Sequence, residues 1–365
     1  MSKPAYLALE NGRIFEGKFF GAEKDALGEI VFTTGMTGYL ETLTDNSYYG
    51  QIVLQTFPLI GNYGVILADL ENSSKQIGVS AYIVKSWCEE PSNFRSEGNL
   101  DTFLKSKNIT GLYGIDTREV TKIIRENGVM NAKITSDIDN IDFNEIHNYK
   151  ITNAIEKVSR KAIKDCRGDR RSSTDELGAY KVFMFDFGMK ESIKPKLFSR
   201  NCHIFIVPHN TSAEQIKSID PDGIILSDGP GDPADNPEII NNLKEIIKLN
   251  IPIFGIGLGH QLLALAHGFK TQKLKYGHRG ANQPVKDLST GRVYITSQNH
   301  GYEVVTESID SNIAKALFEN VNDKTCEGIE YINYPVFSVQ FNPDNCENPH
   351  GTGFLFDRFV EMMEK

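Results

Sequence analysis

The sequence predicts an α/β protein, with an amino-terminal mixed α/β domain followed by a doubly wound α/β domain. Three observations carry this. From Tyr180 onward, short apolar runs fit for buried parallel strands alternate with helical segments. One of these runs leads straight into a glycine-rich turn and a helix. Ahead of Tyr180 lie hairpin and helix signals of a different organisation.

The first domain is expected over residues 1–150. Tyr6 to Leu9 and Arg13 to Glu16 flank Asn11-Gly12, a hairpin signal. Glu29 to Thr33 reads as a strand, and Glu119 to Arg125 as a short helix stopping near Asn127-Gly128. Residues 151–178 are polar and strongly charged and read as a linker. The second domain is expected over 179–365. Lys181 to Phe187, His203 to Pro208, Gly223 to Ser227 and Ile251 to Ile256 are its strands, with helices over Lys190 to Ser199 and Asn236 to Lys248. Such sheets place their sites at the carboxyl ends of strands.

The 365 residues are 40% hydrophobic and 24% charged, as in a soluble globular protein. A net charge of −9 argues against a nucleic-acid partner or an acidic membrane surface. No apolar run approaches the roughly 18 residues that span a bilayer. Met1 to Glu10 has no basic stretch followed by an apolar one, so no secretory leader is expected. Cys88, Cys166, Cys202, Cys326 and Cys346 lack C-x-x-C spacing. They suit a reducing cytoplasm, and no metal site is expected.

Phe254-Gly-Ile-Gly-Leu-Gly-His-Gln261 is the most informative stretch. A buried strand, a sharp turn and a helix starting near Leu258 make the shape of a nucleophile elbow. The helix start offers backbone donors. A plain strand-turn-helix or a phosphate loop fits the same residues. Ser227-Asp-Gly-Pro-Gly-Asp-Pro233 follows another strand and can line an oxyanion site, though most Gly-Pro loops are turns. Ser297-Gln-Asn-His-Gly-Tyr302 is expected as a polar loop after a strand over Arg292 to Thr296. Phe337 to Asp344 is a strand ending in a polar turn.

Together these segments resemble the class I glutamine amidotransferases. Thr34-Gly-Met-Thr-Gly-Tyr39, Leu43-Thr-Asp-Asn-Ser-Tyr48, Tyr113-Gly-Ile-Asp-Thr-Arg118 and Phe185-Asp-Phe-Gly-Met-Lys190 narrow the resemblance to the small subunits of carbamoyl phosphate synthetases, over essentially the whole chain. The resemblance implies a glutamine-amidotransferase-like second domain that supplies ammonia to a large subunit. It implies that ATP and magnesium sit on the large subunit, with no cofactor in this chain. It maps glutamine contacts to Gly35, Gly229, Gly231, Leu258, Gln261, Asn299, Gly301 and Tyr302. Where the family has a cysteine at the elbow, this chain has Gly257. Where the family ends its last strand with histidine, proline and glutamate, this chain has Asn342, Pro343 and Asp344.

Those departures matter chemically. Amide hydrolysis by this route needs an attacking thiolate and a base. Gly257 has no side chain, and Asn342 cannot take a proton near neutral pH. The triad positions Gly257, Asn342 and Asp344 are therefore expected to be inactive, in a subunit that stabilises or regulates an ammonia-using synthetase. Two alternatives stay open: a subunit still active through a relocated nucleophile such as Cys346, and a binding or scaffold protein that kept the fold. His260 is expected to be structural, and His300 a loop residue rather than a catalyst. Whether glutamine still binds, and whether the product feeds arginine or pyrimidine synthesis, stays open.

Overall fold

The Asn11-Gly12 turn closes the first hairpin as its residues dictate. Gly12 takes a φ of 85°, a region glycine enters freely, and the Leu9 amide donates to Arg13 O at 2.9 Å. The strands it joins, β1 (Pro4–Leu9) and β2 (Ile14–Gly21), pair antiparallel. The computed structural model describes residues 3–72, 77–167, 180–344 and 351–364. It divides into two units, Met1–Ala154 and Ile155–Lys365.

In the first unit follow β3 (Ala26–Thr33), α1 (Tyr39–Thr44), β4 (Gln51–Gln55), β5 (Leu59–Ile60), β6 (Ala81–Val84), β7 (Ser86–Trp87), α2 (Leu100–Ser106), β8 (Thr110–Tyr113), α3 (Thr117–Asn127), β9 (Met130–Thr135) and α4 (Phe143–His147). Strands β1-β2-β8-β6-β4-β3-β9 close into a barrel, with β9 returning to β1. Closure leaves no strand edge unpaired. Strand residues alternate between two apolar sets. Ile30, Ile52 and Ile83 pack with Val120 and Ile124 of α3. Val31, Val53 and Tyr82 pack with Leu40 of α1 and Leu104 of α2. Helix α3 is capped by Asp116, whose carboxylate accepts from Glu119 N at 2.9 Å, and it ends at Gly128 with φ 96°.

The second unit opens with α5 (Ala154–Val158) and β10 (Lys164–Cys166). Both fall where a linker is expected over 151–178. Lys164 and Asp165 are exposed, which gives the segment its charged look, but Cys166 is buried against the sheet. Residues 168–178 of that expected linker lie outside the described residues. Next come β11 (Tyr180–Asp186), α6 (Ile193–Phe198), β12 (Cys202–Pro208), α7 (Ala213–Ile219), β13 (Gly223–Leu226), α8 (Pro237–Ile247), β14 (Ile253–Ile256), α9 (Leu258–Ala266), β15 (Thr271–Asp287), β16 (Val293–Val304), β17 (Ala314–Asn320), β18 (Cys326–Tyr331), β19 (Val336–Val339) and α10 (Phe354–Met363).

One ten-stranded sheet runs β10-β12-β11-β13-β14-β19-β18-β16-β15-β17. From β12 to β19 every pairing is parallel, and helices cover both faces. Ile216, Leu243 and Leu262 of α7, α8 and α9 pack on one side. Ile193 of α6 and Phe356 of α10 pack on the other. This half is the expected doubly wound sheet. From β18 to β17 the pairing is antiparallel, a wing the sequence does not announce. Two expected boundaries move. The helix over Lys190 to Ser199 starts only at Ile193, because Lys190 turns inward to a buried partner. The strand expected over Arg292 to Thr296 runs on through Val304, so Ser297 to Tyr302 is strand and not loop. Among the described residues, no helix is long and apolar enough to cross a membrane.

Candidate functional site

β14 ends at Ile256 and α9 begins at Leu258, so Gly257 alone makes the turn. Its φ of 56° and ψ of −110° lie where a side chain is strained. Its amide donates to Val339 O at 2.9 Å, and the Gly259 amide donates to Ser227 O at 3.1 Å. The elbow is thus fastened to β19 on one side and to the loop after β13 on the other. Gly259 permits that approach, since a Cβ there would lie 2.3 Å from Leu226 O.

The tip carries no side chain, and the structure has little room for one. A Cβ on Gly257 would stand 2.8 Å from Cβ of Asp228. Asp228 begins the loop to Pro233 and is buried beside Lys190, with Lys190 Nζ 3.4 Å from its Oδ2. A buried pair of this kind is costly to break from either side. Both residues stand in motifs conspicuous in the sequence, but no spacing rule joins residues so far apart in the chain.

The last two triad positions are equally committed. The Asn342 amide donates to Ser297 O at 2.9 Å, bridging the end of β19 to β16. Asp344 accepts from Ser192 Oγ at 2.5 Å. Asn342 is 5% exposed and Asp344 4%. Cys346 and His350 lie outside the described residues.

Seven of the eight positions mapped for glutamine lie in this unit. Gly229 and Gly231 are in the loop after β13, Leu258 and Gln261 in the first turn of α9, and Asn299, Gly301 and Tyr302 on β16. Gln261 ties two of these groups together, donating from Nε2 to Tyr302 O at 2.8 Å and to Gln340 Oε1 at 2.9 Å. Gln340 is a partner the sequence gives no sign of. Gly35 lies in the first unit, in the turn after β3.

Histidines near the elbow are held in structural roles. His260 is fully buried, with Nδ1 2.8 Å from Ser338 Oγ. Burial pushes its pKa down to about 3. The pair has the form of a hydroxyl and its base, but neither residue is exposed at all. His300 is buried in β16 and not in a loop, and burial together with the nearby His278 holds its pKa well below the ordinary value. Around the elbow the arrangement keeps a helix start and a fitted backbone, with glycine where a nucleophile would stand.

Residues 7–134 match the family model described as carbamoyl-phosphate synthase small chain, CPSase domain. Residues 183–362 match that of glutamine amidotransferase class-I. The chain is 46% identical over 361 residues to the carbamoyl phosphate synthase small chain of Fusobacterium nucleatum subsp. nucleatum, covering 98% of each chain. It is also 46% identical over 359 residues to the small chain of Clostridium perfringens, covering 98% of this chain and 99% of that one.

Proposed function

The chain belongs to the carbamoyl phosphate synthase small-chain family, and from that premise we propose that it is a small subunit without glutaminase activity of its own. It would bind a synthetase large subunit in the cytoplasm and stabilise or regulate it while that partner uses free ammonia. ATP and magnesium would sit on the large subunit, and the carbamoyl phosphate would serve arginine or pyrimidine synthesis. The observation that carries this reading is Gly257 at the elbow. A thioester needs a sulfur at the tip, and glycine offers no atom to attack with. Asn342, in the base position, cannot accept the proton that a histidine would.

The experiment is carbamoyl phosphate synthesis by the chain mixed with the large subunit of the same organism, comparing glutamine with ammonium. A stable complex active with ammonium alone is expected. No complex at micromolar concentrations, or full activity with glutamine, would remove the proposal.

A further inference from the structure

The antiparallel wing buries a polar cluster that the elbow does not use. His278 on β15, His300 on β16 and Glu327 on β18 are all buried, and one ligand atom from each lies within 4.8 Å of the others. The protons around them do not add up. His278 Nε2 is 2.7 Å from Asp323 Oδ2, and His300 Nδ1 is 2.8 Å from Tyr302 O. A carboxylate and a carbonyl only accept, so these two nitrogens carry the N–H of each ring. A neutral imidazole has only one. The other nitrogens are then lone pairs, yet both face oxygens. His278 Nδ1 is 3.4 Å from Glu327 Oε1, and His300 Nε2 is 3.0 Å from Gln298 Oε1. Turning the Gln298 amide over is no remedy, because its Nε2 donates to Glu327 Oε2 at 2.9 Å.

Something positive belongs between these atoms. One extra proton on His278 would meet Glu327 but leave His300 Nε2 facing Gln298 Oε1, and a second would make both rings cations, edge to face with centroids 4.9 Å apart. Two like charges that close in a buried site repel strongly. A single divalent cation accepts both lone pairs at once. The outward bonds to Asp323 and to the Tyr302 carbonyl are those that orient metal-binding histidines. The field is also right, since Asp323, Glu327 and Glu303 bring carboxylates to the cluster, with Arg279 opposing them. Zinc bonds of about 2.0–2.1 Å set tetrahedral ligands about 3.4 Å apart; His278 Nδ1 and Glu327 Oε1 are 3.4 Å apart, and all three ligand atoms lie within 4.8 Å of one another.

We propose that His278 Nδ1, His300 Nε2 and the Glu327 carboxylate bind one divalent cation of the zinc class, with Asp323 as the orienting partner of His278. The cation clamps β15, β16 and β18 together beneath the Gln298 to Tyr302 run. Nitrogen and carboxylate donors together select a borderline metal over magnesium or calcium.

The test uses the full chain, stripped with chelator and titrated with Co2+ and then Zn2+. One equivalent of Co2+ should give the intense visible absorption of a tetrahedral site, and Zn2+ should abolish it. Zn2+, but not Mg2+, should raise Tm in the unaltered chain. His278→Gln and Glu327→Gln, checked for folding by circular dichroism, should each lose the absorption. The proposal is overturned if the folded, unaltered chain shows neither absorption nor a Tm shift at micromolar excess of metal. It is equally overturned if both folded variants bind Co2+ as the unaltered chain does.

Discussion

The two halves of the second unit's sheet solve burial in opposite ways. Between β12 and β19 the strands are mostly apolar, with Ile225, Phe254 and Phe337 fully buried and stacked between two layers of helices. Between β18 and β17 the interior is polar. Glu327 is fully buried and accepts from Gln298 and Asn320, while His278 spans Asp323 and Glu327. The parallel half is a surface-area device, and its energy is spread over many small contacts. The antiparallel half is a network in which removing one partner strands several others. A parallel frame of this kind tolerates a change of one side chain at a turn. A buried network tolerates little change at its centre.

The first prediction concerns the turn itself. Restoring only the sulfur, as Gly257→Cys, should leave glutaminase activity at background, because loss of a nucleophile–base system costs about a millionfold and the base is also missing. Glutamate release from glutamine by the purified variant measures this. A normal rate would show that Asn342 is not the base position.

The contrast between the halves is sharpened by a pair of substitutions. Glu327→Leu should destabilise the protein by about 3–5 kcal/mol, since it leaves a buried network with unmatched donors. Phe254→Leu, apolar for apolar, should cost about 1.5 kcal/mol or less. Urea unfolding of both measures the difference, and equal costs would break the comparison.

The halves should also respond to pH in opposite directions. The folded pKa of His278, about 9, lies above the ordinary 6.5. Its contribution, on the order of 3 kcal/mol, is full below the ordinary value and is lost as pH rises through the folded one. His260 is depressed to about 3, so its contribution is full above 6.5 and is lost as pH falls. Stability measured across pH in the presence of chelator should form a dome. His278→Gln should flatten the alkaline limb alone, and a change in the acid limb instead would reverse the assignment.

A smaller effect is expected at the elbow. Gly257→Ala should cost about 1–3 kcal/mol, because alanine must hold a strained backbone and its Cβ meets Asp228. Smallest of all, Lys248→Ala removes an exposed pair with Glu245 on α8 and should change stability by less than about 1 kcal/mol.

The same contrast decides what could be read from the sequence. Strands β11 to β14 and helix α8 were legible because apolar runs and helical spacing report burial directly. The elbow was legible because only a strand, a tight turn and a helix explain glycines so placed. The wing was not. Thr271–Asp287 is one strand of 17 residues, but it mixes lysines, glycines and a proline, and its pairing with β16 shifts register twice. No alternation survives that. Ser297 to Tyr302 read as a loop because its buried residues, Gln298 and His300, are polar. Barrel closure in the first unit was equally hidden, since it depends on β9 reaching β1 across the chain. Pairings such as Lys190 with Asp228 and Ser192 with Asp344 are products of the fold and leave no local trace.

The closeness of Asp228 to Gly257 has a historical meaning as well. With the neighbouring Cβ 2.8 Å from where a new one would sit, a first mutational step toward cysteine is expected to lose stability and, on the proposed reading, to return no activity. Selection would have to cross that valley while waiting for a base at residue 342. On the proposed reading the turn would therefore work as a ratchet: with glycine in place and Asp228 closed over it, descendants of this chain would refine other roles more easily than they would gain glutamine hydrolysis.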